Sequence, residues 1–275
     1  MGVAYAATEG AAHGGEHSVG DAILHHVQDT KTLDFWPLGH PTLPDIEIFG
    51  IDFSITKHLL MMWIACTIVV VLFKMALKDS GPVPSGLRNF LEAIVVFLRD
   101  EVILPTMGEA GRRYVPYLLT VFFFILSCNL LGLVPYSATA TGNVTVTAAL
   151  AIISFCMIQY GGMREHGVWH HLQNLVPPGL PVWLLPIMIP VEVMGQFTKP
   201  FALCIRLFAN MTAGHIVILS FLGLIAILQS IVIAPVSIAF ALFISILELF
   251  IAFLQAYIFT MLTALFMGMS IHPEH

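Results

Sequence analysis

From Pro186 to Met269 the chain is apolar almost without interruption. A run of that length does not fit the core of a water-soluble domain. It asks for lipid, where about 20 apolar residues span the ~30 Å hydrocarbon core as a helix. In lipid every backbone N–H and C=O must be satisfied within the segment, so the run has to be helical. A break near Gly223 to Ser230 divides it into helices over 187–224 and 230–269. Each is then roughly 60 Å long, about twice the core thickness. Pro200 can kink the first helix, and Pro235 lies near the start of the second. Neither forces a full turn, so the expectation is a long, steeply tilted helical hairpin.

The remainder points the same way. Of 275 residues 58% are hydrophobic and 10% charged, against about 25% charged in soluble domains. Three shorter spans are expected over 58–77, 115–134 and 144–160. Between the first two, Leu87, Leu91, Ile94, Leu98 and Val102 recur at helical spacing, with Arg88, Glu92, Arg99 and Asp100 among them. Such a segment, 86–107, prefers to lie in the membrane interface. The chain therefore reads as an all-α integral membrane protein. It has five transmembrane helices and one interfacial amphipathic helix, with residues 1–55 as an extracytoplasmic tail and 56–275 as the membrane domain. Lys74 and Lys78 end the first span and Asp45, Glu47 and Asp52 precede it. The positive-inside rule then puts the N-terminus outside and the C-terminus in the cytoplasm.

The tail is polar to mixed, with a short helix expected near Val19–Val27. Its His13, His17, His25, His26 and His40 read as solvated residues rather than a metal site. Ala4-Tyr5-Ala6 resembles a signal-peptidase site, but no apolar region precedes it. Cys66, Cys128, Cys156 and Cys204 all fall in apolar runs without paired spacing, so neither a disulfide framework nor a metal site is indicated. The net charge of −6 is thinly spread and points to no nucleic-acid partner.

The informative residues are the polar ones inside the hairpin. Glu192, Lys199 and Arg206 are spaced by seven, and Gln196 and Asn210 extend the same stripe. For Glu192 and Lys199 a place in the cytoplasmic headgroup zone is the plain alternative. Arg206 is different. An arginine at the bilayer centre costs roughly 2.5–3.5 kcal/mol on insertion scales, and Arg206 is too far from either end to snorkel. His215 points about 180° away from Arg206 on an ideal helix, toward the returning arm. That arm carries Ser245, Glu248 and Gln255. If the turn centres near residue 229, Gln255 lies level with a point beside Arg206. Glu248 lies level with a point between Arg206 and His215. A His and a Glu at matching depth on facing arms look like a proton path. A proton-coupled secondary transporter would use similar residues, but it would usually show internal repeats, and none is visible. A haem-binding redox anchor needs paired axial ligands, and only His215 is deeply placed.

The run PIMIPVEVMGQFTKPFALCIRLFANMTAGHIV, residues 186–217, resembles the signature of subunit a of the F-type ATP synthase. Asn129-Leu130-Leu131-Gly132-Leu133-Val134-Pro135, Glu248 and Gln255 support the resemblance, which covers about residues 45–272. It implies a stator subunit pressed against a rotating ring of c subunits, with the b-subunit peripheral stalk as a further partner. Two aqueous half-channels would conduct protons to and from the ring carboxylates. Arg206 matches the family's essential arginine, Asn210 and Gln255 its polar companions. Glu192 and Lys199 match residues near the cytoplasmic half-channel, and Asn129, Ser245, His215 and Glu248 fall to the remaining lining. In many members His215 and Glu248 are exchanged, and some carry an acidic residue at the position of Gly132. The resemblance implies no cofactor, no metal and no nucleotide bound by this chain. Its implied home is a bacterial plasma membrane.

Overall fold

The structure, a computed structural model, describes residues 47–48, 51–52, 56–78, 86–134, 139–169, 185–228 and 234–272. The N-terminal histidines, the short helix near 19–27 and most of the 163–185 connection lie outside the described residues. A small antiparallel pair, β1 (Glu47–Ile48) with β2 (Ile51–Asp52), precedes the helices. Among the described residues five helices are long and apolar enough to cross a membrane. They are α1 (Lys57–Lys78), α4 (Val115–Gly132), α5 (Val144–His166), α6 (Leu185–Leu228) and α7 (Ala234–Ile271). Between α1 and α4 lie α2 (Gly86–Phe97), a π-turn (Leu98–Ile103) and α3 (Leu104–Met107). The chain is a multi-pass, all-α membrane protein.

The helix ends differ from the sequence expectation in ways the residues explain. α5 runs past 160 to His166 and stops where Gly167 takes φ +78°, a left-handed position that closes helices and suits glycine. α6 runs through Gly223 to Leu228, because a single glycine in an otherwise helix-forming stretch does not end a helix held by its surroundings. Pro190 and Pro200 both lie inside α6. Pro200 deprives the Gln196 carbonyl of its usual i+4 donor. Pro235 sits in the first turn of α7, where a missing N–H costs nothing.

The helices contribute to two units. One holds Ile68–Ile125, Val144–Leu207 and Gln255–His275. Its core joins Ile103, Met107, Tyr114, Leu118, Ile158, Ala264, Met267 and Ile271. Here the end of α7 is tied to α5: Ser270 Oγ donates to the Ile158 carbonyl at 3.1 Å, and His166 Nε2 lies 2.7 Å from the Ile271 carbonyl. That imidazole satisfies a helix-terminal acceptor that has no donor in its own helix. The interfacial helix packs in the same unit, with Gly268 so close to the Thr106 carbonyl that a Cβ would collide with it. The other unit holds the described residues up to Thr67, Leu126–Asn143 and Phe208–Leu254. In it the two arms of the hairpin meet, with Phe221 and Phe240 stacked at 5.5 Å.

Candidate functional site

In the unit formed by the end of α4, the later part of α6 and the first part of α7, the structure brings His215 and Glu248 together. His215 Nδ1 lies 3.6 Å from Glu248 Oε1, with the carboxylate side chain 4% exposed and the imidazole 22%. That is ion-pair range and longer than a direct hydrogen bond. Gly214 allows it, since a Cβ there would lie 2.9 Å from Glu248 Oε1. A buried carboxylate is costly unless paired or protonated. Glu248 Oε2 is buried and has no hydrogen-bond partner among the described residues. The pair thus combines a group that holds charge only with help and a group able to supply it.

Asn129 is buried and engaged at both ends. Its Nδ2 donates to the Ala252 carbonyl at 3.2 Å, and its Oδ1 accepts from Thr141 Oγ1 at 2.6 Å. Ala252 lies one turn beyond Glu248. Ser245, one turn before Glu248, donates its hydroxyl to its own helix at the Ala241 carbonyl, 2.9 Å away. Asn210 is exposed.

In the other unit Arg206 is exposed, whereas Gln255 on α7 is buried at 1% exposure. Ala202 of the same unit is exposed one turn before Arg206, and further along α6, in the unit of His215 and Glu248, Ala209 and Ala213 are exposed at helical spacing from it. Lys199 is half-buried, with Nζ 5.1 Å above the Phe266 ring, a cation–π contact that holds the ammonium without a carboxylate. One turn earlier, Gln196 accepts from Gln159 Nε2 of α5 at 3.3 Å. The Glu192 backbone is helical, and its side chain lies outside the described residues. Among the described residues no hydrogen bond, ion pair or cation–π contact is made by the Arg206 guanidinium. The polar stripe is therefore served in two ways: Gln196 and Lys199 are half-buried and engaged, and Arg206 and Asn210 are exposed.

Sequence reasoning missed Gly214, Gln159 and Thr141. Gln159 was open to the same logic as Gln196, a lone amide in an apolar span. Gly214 and Thr141 carry no such signal, because their contacts depend on packing between distant segments.

The family described as ATP synthase A chain matches residues 59–268. Subunit a of ATP synthase from Chloroherpeton thalassium is 52% identical over 264 residues, covering 93% of this chain and 78% of that protein. Subunit a 2 from Chlorobaculum tepidum is 49% identical, covering 96% and 76%. Subunit a 2 from Prosthecochloris aestuarii is 50% identical, covering 97% and 84%. With a helical membrane architecture and a match over most of its length to the family and to relatives about half identical, this chain belongs to the ATP synthase A chain family, the subunit a proteins.

Proposed function

We propose that this chain is the stator of a proton-driven rotary synthase, with Arg206 as the fixed charge between two aqueous half-channels. The observation that carries this reading is the direction of Arg206. A charge on a membrane helix normally faces protein interior or water. Arg206 is instead exposed, with Ala202, Ala209 and Ala213 exposed at helical spacing from it along α6. Small residues let another helix approach closely, and the guanidinium offers a bidentate partner to a carboxylate. Such a face suits a ring of c subunits that each carry one acidic group. An arginine within ~4–6 Å lowers a carboxylate pKa by about 1–3 units, so a protonated ring carboxylate would release its proton beside Arg206.

The released proton leaves on the cytoplasmic side past Lys199, Gln196 and Glu192. The next carboxylate is reprotonated from outside through Glu248 and His215. Asn210 and Gln255 keep the arginine's surroundings polar, and Asn129 and Ser245 border the outer path. Each proton gains about 2.3 kcal/mol per 100 mV. The N-terminus lies outside and the C-terminus in the cytoplasm of a bacterial plasma membrane, and the b-subunit stalk holds the chain against rotation. Nucleotide chemistry belongs to other subunits.

Arg206→Lys tests the role. Lysine keeps a charge but is a compact, strongly hydrated point without the planar fork. Coupled ATP synthesis in membranes carrying the variant should fall by at least about tenfold, which requires only ~1.4 kcal/mol on the barrier. Near-normal synthesis by a fully assembled complex would overturn the role.

A further inference from the structure

The segment Thr139–Asn143 joins α4 to α5, and it also grips three helices. Thr139 is buried and packs into a notch at Gly132, where a Cβ would collide with the threonine hydroxyl and methyl. Thr141, fully buried, donates to Asn129 Oδ1 at 2.6 Å, and Asn129 passes the link to the Ala252 carbonyl of α7 at 3.2 Å. The Gly142 carbonyl accepts from Thr212 Oγ1 of α6 at 3.4 Å. The grip on α7 falls four residues after Glu248, and the grip on α6 three residues before His215.

We propose that Thr141 is a positioning residue for proton transfer, acting through Asn129 on α7 and, with the Thr212–Gly142 bond, setting the separation of the arms that carry His215 and Glu248. This rests on the proton path proposed above. The buried hydroxyls of Thr260 and Thr263 on α7, by contrast, donate to carbonyls four residues back in their own helix. Thr141 instead commits its proton to a side-chain acceptor whose far end holds another helix. With the Nδ2 and Oδ1 of its amide both engaged, and its side chain buried, Asn129 acts as a strut rather than a wetted surface. The His215–Glu248 gap of 3.6 Å is where such a strut matters, because misplacement of reacting groups by about 1 Å can cost ~10²-fold in rate.

The test is ATP-driven proton pumping by inverted membrane vesicles, normalised to assembled complex. Thr141→Val keeps the shape and removes the hydroxyl, and should lower pumping about tenfold, well within the cost of a 1 Å misplacement. Thr141→Ser should restore most of it. On a Glu248→Asp background, Thr141→Val should add little, since residues acting through one contact are not additive. Equal impairment of the Val and Ser variants would reduce Thr141 to a packing residue and overturn the proposal. So would parental pumping by Thr141→Val, and if Glu248→Ala abolished pumping in the same assay, the proton path would still stand. Normal pumping by both His215→Ala and Glu248→Ala would remove the path, and the proposal with it. Should Thr141→Val fail to assemble, Thr212→Val carries the comparison from the α6 side. A severalfold loss there supports the brace, and parental pumping overturns it.

Discussion

One hydrogen in place of a methyl at position 214 decides how closely Glu248 approaches α6. A Cβ at Gly214 would sit 2.9 Å from Oε1 and 3.0 Å from the carboxyl carbon, so the carboxylate would have to move. Overpacking of this kind typically costs about 1–3 kcal/mol. Gly214→Ala should leave the complex assembled and slow ATP-driven pumping, measured as acidification of inverted vesicles; an unchanged rate would mean that the seat of Glu248 is immaterial. The contrast with Arg206 explains what was legible in the sequence. A charge inside an apolar run announces itself, because its cost in lipid is large and needs a reason. A glycine in a helix announces nothing, and its reason exists only once α7 has folded back against it. His215 and Glu248 stand between these cases: counting along two arms set Glu248 level with a point between Arg206 and His215, and the structure sets it against His215 itself, 3.6 Å away.

Among the elements, the interfacial helix departs most from simple spacing. Leu91, Leu98 and Val102 are buried as the period demands, but Ile103 and Met107 are buried too. The cause is the π-turn Leu98–Ile103, with the Leu104 N–H donating to the Arg99 carbonyl five residues back. An inserted residue rotates the buried set onto a new stripe, and no periodicity count can foresee it. Within that turn Arg99 Nε bonds Asp100 Oδ1 at 2.7 Å. The hydrogen bond from Arg99 holds the Asp100 carboxyl below the usual carboxylate range. Its contribution is therefore complete above that range and is lost as pH falls through the lowered value; with both groups exposed it is small.

The same helix is clamped at Gly268, against the Thr106 carbonyl. Gly268→Ala places a methyl against rigid backbone, and should destabilise the folded protein by about 1–3 kcal/mol. A lowered thermal midpoint of the purified complex would show this, and an unchanged one would mean that the two helices separate without cost. The existence and type of the five long helices, and of the amphipathic one between α1 and α4, were readable from apolar length and period, while the interfacial setting of the latter remains an expectation. Their ends were less so, because Gly167 stops α5 through its backbone conformation while Gly223 stops nothing.

For the molecule as a whole, the proposed half-channels make opposite demands on the two sides of the membrane. With the native cysteines replaced, a small aqueous thiol reagent should label Ile216→Cys, beside His215, from outside. It should label Thr198→Cys, beside Lys199, from the cytoplasm. Labelling of both from one side would exclude two separate half-channels.

The length of α6 bears on how such paths are met. Its 40-residue apolar stretch is roughly 60 Å long against a ~30 Å core. Held wholly within the core, as the proposed stator role requires, such a stretch would gain only about half of each step along the helix as depth and run mostly sideways in the plane of the membrane. Residues spaced along such a tilted helix would be displaced from one another more across the bilayer plane than through it. A ring turning in that plane, as proposed above, would pass them one after the other. The order of residues along the chain becomes an order of events in time, and reversing the direction of travel reverses the sequence of encounters without moving a single side chain.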